Sequence, residues 1–155
     1  MLFDKTHNLR QISGLKIYVI ALIWAVVIVL IPLIYSEFVL SHNFWITFIQ
    51  RFLFVLVLMI PFEIRDMNFD SLKLATLPQK IGVKKTKIIG VFFLLIFIIL
   101  ECFKSEFNQK YFIIYITIAL LTLCFILLAK QKQSSYYSSF WVESLPMVWY
   151  LLYII

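Results

Sequence analysis

Asp66 and Asp70 stand four residues apart, with Arg65 just before the first and Lys73 three residues beyond the second. If the segment is helical, residues at i and i+4 project from one face, about 6 Å apart. Two carboxylates that close repel one another unless a cation sits between them. Hard oxygen ligands suit magnesium, which is usually held by one or two carboxylates together with substrate phosphates. A diphosphate-bound magnesium is therefore the natural third party between Asp66 and Asp70. Glu63 adds a third acid three residues upstream of Asp66.

These residues lie in the one long polar passage, Pro61 to Lys87, of a very apolar chain. Of 155 residues, 63% are hydrophobic and 14% charged, and the mean hydropathy is +0.98. Soluble domains carry about 25% charged residues, so this composition is that of a membrane protein. The net charge of +6 does not point to nucleic acid, because the basic residues flank apolar runs and do not line one face.

Five runs are long enough, or nearly so, to cross a hydrocarbon core that takes about 20 helical residues: 15–35, 44–62, 88–102, 111–129 and 139–155. In lipid the backbone must satisfy its own hydrogen bonds, so the expected fold is all-α: one transmembrane helix bundle of about five spans. The first run has no small-residue cleavage site after it and reads as a span, not a signal peptide. Lysine and arginine gather before the first run, between the second and third, and after the fourth. The positive-inside bias then puts the acidic loop in the cytoplasm and the C-terminus outside, in a multi-pass protein of a bacterial inner membrane. Trp45 and Trp141 fall where interfacial aromatics are expected. Cys102 and Cys124 differ in depth by roughly 20 Å at the helical rise, too far for a disulfide. No internal repeat is visible, and 130–139 is a short polar connector.

Other polar residues have simpler readings. Lys84, Lys85 and Lys87 mark a helix end that meets anionic lipid. Arg51, inside the second run, must face the bundle interior or a wet cavity, snorkel outward, or pair with Glu37 or Glu101. Glu143 is an intramembrane carboxylate near the depth of the acidic loop. His7 and His42 have no second ligand at metal spacing, and Ser139 has no paired base.

The stretch from Ile64 to Lys87 resembles the second aspartate-rich motif of the UbiA family of intramembrane prenyltransferases. That motif shows Arg-Asp-x-x-x-Asp, a Thr-Leu segment and a short "LG" stretch, here Arg65, Asp66, Asp70, Thr76, Leu77, Ile81 and Gly82. Leu9 to Val27 is similar to the opening of that family's fifth helix. The five runs match the last five of its nine helices. The first motif, Asn-x-x-x-Asp-x-x-x-Asp, does not occur in these residues; Thr76 lies one residue early, and Glu63 stands where many members have Asn. The resemblance implies transfer of a polyprenyl group from its diphosphate to an aromatic or quinone-precursor acceptor. It also implies Mg2+ with diphosphate on Asp66 and Asp70, Arg65 or Lys73 at the phosphate oxygens, and a complementary N-terminal half as partner. The competing reading is a non-catalytic remnant or helix-packing subunit. A CDP-alcohol phosphotransferase lacks support because its longer signature is absent, and a transporter because no pair of broken helices is seen in matched halves.

Overall fold

The computed structural model describes residues 15–35, 41–67, 76–105 and 107–154. All the regular structure among these is helical. Helix α1 (Leu15–Tyr35) contains a π-helical turn at Val26–Leu30. It is followed by α2 (His42–Asp66), the short α3 (Leu77–Ile81), α4 (Val83–Glu101) and α5 (Gln109–Leu128). A second π-helical turn, Tyr137–Val142, then leads into α6 (Leu145–Ile154).

Three helices, α1, α2 and α5, are long and apolar enough to cross a membrane. Helix α4 has 19 residues, but lysines occupy three of its first five positions and Glu101 its last. It begins at Val83, five residues before the apolar run does. Lys87 is therefore helical, and its Nζ donates to the carbonyl of Leu127, 2.7 Å away in the last turn of α5. A cation on a helix's terminal carbonyls is a favourable cap.

The helix boundaries follow local chemistry. The Phe44 N–H donates to the Ser41 hydroxyl at the start of α2, and the Lys110 N–H to Asn108 Oδ1 at the start of α5, each satisfying a terminal donor. Gly82 separates α3 from α4 at φ +85°, a left-handed conformation that side chains with a Cβ rarely adopt.

Helix α2 is the hub. It packs against α1, α4, α5 and the Tyr137–Val142 turn, and 56% of its most apolar stretch is buried, against 17% for α1. The core centres on Phe54, Val57, Phe97, Tyr115, Ile118 and Trp149. A Cβ added at Gly90 of α4 would come within 2.7 Å of Ile60 Cδ1. The missing side chain is what lets α4 approach α2 so closely. Ala21 of α1 allows a similar approach, in a small cluster with Ile17 and Leu56.

Candidate functional site

The last turn of α2 carries Arg65 and Asp66 side by side. Arg65 Nε meets Asp66 Oδ1 at 2.7 Å, and both side chains are partly exposed. The other edge of the guanidinium reaches across the bundle: Nη1 donates to Ser138 Oγ at 2.6 Å and lies 3.5 Å from Ser139 Oγ. Phe62, one turn earlier, has its ring 5.5 Å from the guanidinium carbon, within cation-π range. The planar guanidinium of Arg65 is thus held on three sides.

Both serines belong to the π-helical turn Tyr137–Val142, a local geometry that recurs at functional sites. The connector before this turn is tied to α2 as well, because Gln133 Nε2 donates to the Pro61 carbonyl at 2.9 Å. An open pocket of about 260 Å³ is lined by Ser135, Tyr136, Ser139 and Phe140. Ser139 therefore belongs both to the pocket wall and to the surroundings of Arg65.

Glu63 has a structural task. It is buried, and its Oε2 accepts the Leu77 N–H at 3.2 Å, placing a carboxylate at the N-terminus of α3 where backbone donors are otherwise unmatched. The Thr76 N–H donates to Gln79 Oε1 at 2.8 Å, and Gln79 Nε2 donates to the Met67 carbonyl. These bonds hold Thr76 and Leu77 beside the end of α2, so the two ends of the acidic segment are close together. Asp70 and Lys73, the other expected site residues, lie outside the described residues. No group of three or more potential metal-ligating side chains occurs among the described residues.

Ser138 is the contact that sequence reading missed. Its only signal was a second serine pair in "SSYYSS", which in isolation looks like connector composition. Glu143 is exposed, at the end of the π-helical turn.

Nearer the middle of α2, Arg51 faces inward: its guanidinium carbon lies 3.6 Å from the centre of the Trp149 ring. Gln50, fully buried, donates through Nε2 to the Phe97 carbonyl at 3.1 Å and to Glu101 Oε2 at 3.0 Å. Glu101 in turn pairs with Lys104 at 2.7 Å, and Lys104 donates to the Tyr115 hydroxyl at 3.2 Å. Of the alternatives open for Arg51, the structure shows the inward-facing one; Glu101 forms its ion pair with Lys104, and Glu37 lies outside the described residues.

No family model, curated protein or solved structure matches this chain.

Proposed function

We propose that the chain is the C-terminal half of a UbiA-type membrane prenyltransferase. It would transfer a polyprenyl group from its diphosphate to an aromatic or quinone-precursor acceptor, and is incomplete alone. The observation that carries this reading is the Arg65–Asp66 pair that opens the Arg-Asp-x-x-x-Asp sequence at the end of an apolar helix, with Arg65 held in place by Ser138. In this reading the five helical segments all cross a bacterial inner membrane, with the acidic segment on the cytoplasmic side.

Asp66 suits magnesium as one carboxylate of a site shared with phosphate oxygens: it is partly exposed, at a helix end, and carries a hard oxygen donor set. Asp66 and Asp70 would hold the ion, which when bound withdraws charge from the leaving diphosphate. Arg65 presents its guanidinium to phosphate oxygens while Ser138 keeps it from swinging away. Because Asp66 pairs with Arg65 at 2.7 Å, ligand entry has to loosen that pair. A divalent cation taking Asp66 and a phosphate taking Arg65 replace it with two stronger charge-assisted contacts. Phe62 and the apolar helix faces exclude water from the prenyl chain.

A second reading has its own observation: α1 leaves most of its apolar surface uncovered by the rest of the bundle, which suits a helix-packing subunit without catalysis. Binding separates the two. The purified chain, alone and with a complementary half bearing the first aspartate motif, is titrated with a non-hydrolysable prenyl thiolodiphosphate with and without magnesium. The enzyme reading expects magnesium-dependent binding that is lost in Asp66→Asn. Binding indifferent to magnesium and to Asp66 supports the packing subunit.

A further inference from the structure

The junction where α4 begins and α5 finishes gathers lysines from two elements. Lys84 and Lys87 stand three residues apart on α4 and are neighbours on its surface. Lys130 comes just after the last turn of α5. The Lys87 ammonium joins the two helices by donating to the Leu127 carbonyl at 2.7 Å. Burial, and after it the charge of Lys130, push that ammonium below the usual lysine range. The two cations therefore face one another across the junction. Lys130 is also held through its backbone: its N–H donates to Gln133 Oε1 at 2.9 Å, and Gln133 Nε2 donates to the Pro61 carbonyl at 2.9 Å.

No carboxylate answers these charges. Among the described residues the ion pairs are Arg65–Asp66 and Glu101–Lys104, and neither involves this group. Lys84 and Lys130 are exposed, so an anion can reach them from the surface. Lys87 spends one of its three N–H donors on Leu127 and keeps two. Cations gathered in this way repel one another unless an anion sits among them.

The adjoining surface narrows the kind of anion. Ile88 follows Lys84 by four residues, and Phe92, Leu95 and Ile99 continue the same face of α4 at helical spacing. Each of these four is more than half exposed. Across the junction, Leu127 and Leu128 are more than half exposed as well, just ahead of Lys130. Apolar surface that ends in cations on both helices matches a molecule with an anionic head and long apolar chains. An acidic protein segment would match the lysines but leave the α4 stripe, about 16 Å long, uncovered.

We propose that the α4–α5 junction binds an anionic phospholipid, its phosphate held among Lys84, Lys87 and Lys130 and an acyl chain lying along the Ile88–Ile99 stripe. Basic pockets between membrane helices are suited to such head groups. The site shares no residue with the proposed diphosphate site and stands if that reading fails.

The test uses the full chain in neutral maltoside detergent, with ligand bound per chain read by native mass spectrometry. It is titrated with phosphatidylglycerol, with phosphatidylcholine of the same chains, and with glycerol phosphate, which has the head group but no chains. Saturable binding of phosphatidylglycerol is expected, with midpoints about tenfold higher or more for the other two. Replacing both exposed lysines, Lys84→Gln with Lys130→Gln, should raise the phosphatidylglycerol midpoint about thirtyfold with helicity unchanged. Lys84→Arg with Lys130→Arg keeps the charge and should keep the binding. Lys110→Gln, at the other end of α5, should leave the midpoint at its wild-type value. Equal midpoints for the two lipids, tight binding of glycerol phosphate, a wild-type midpoint in the folded double glutamine variant, or an equal loss in Lys110→Gln overturns the proposal. A poly-glutamate peptide that binds more tightly than the lipid also overturns it, and gives the surface to a protein partner.

Discussion

The last turn of α2 and its middle solve the problem of a charged side chain in an apolar bundle in opposite ways. At the Arg65 end the guanidinium is surrounded by partners: Asp66, Ser138, Ser139 and the Phe62 ring. It stays partly exposed beside an open pocket. At Arg51 the guanidinium is stacked on Trp149 within an aromatic core, and Nη1 has no hydrogen-bond partner. One arginine is oriented by hydrogen bonds and an ion pair, and the other by the face of an aromatic ring.

The sharpest way to break the comparison is to destroy the aromatic region. Phe97 is fully buried and has ring neighbours in Phe54, Tyr115 and Trp149, at 5.3–5.7 Å. Phe97→Ala should cost about 3 kcal/mol or more, read as a large fall in Tm in detergent. Next comes Gly90, where Ala drives a Cβ against Ile60. Overpacking there should cost about 1–3 kcal/mol and weaken the α2–α4 contact, visible as faster hydrogen exchange in both helices. Glu63→Ala removes the acceptor for the Leu77 N–H and should cost about 1 kcal/mol. Proteolysis between residues 67 and 76 should then speed up while the core keeps its helicity. The smallest effect on stability belongs to Asp66→Asn. Partly exposed ion pairs contribute about 0–1 kcal/mol, so its Tm should stay near wild type, and its consequence should fall on ligand binding alone. A large loss of Tm in Asp66→Asn would erase the distinction between a functional region and a structural one.

Much of the architecture is legible in the sequence because lipid leaves the backbone few options. The runs 15–35, 44–62 and 111–129 correspond to α1, α2 and α5 within a few residues at each end. Boundaries are harder to read where polar residues continue a helix: the apolar run starts at residue 88, yet the helix begins at Val83 and the lysines that mark its end occupy the first turns of α4. The Arg65–Asp66 adjacency was visible as a motif. Its anchoring by Ser138 was not, since 73 residues separate the partners and only the packing of the π-helical turn on α2 joins them. Arg51 announced itself as an arginine in an apolar run. That it stacks on Trp149 depends on the register of α6 against α2, which no local pattern encodes.

The most direct test of the central claim is magnesium-dependent release of diphosphate from a prenyl diphosphate, by this chain assembled with a complementary half in lipid vesicles. The account predicts release in the wild-type pair and a fall of at least a hundredfold in Asp66→Asn with the assembly intact. Undiminished release from folded Asp66→Asn, or none from the wild-type pair, would contradict it.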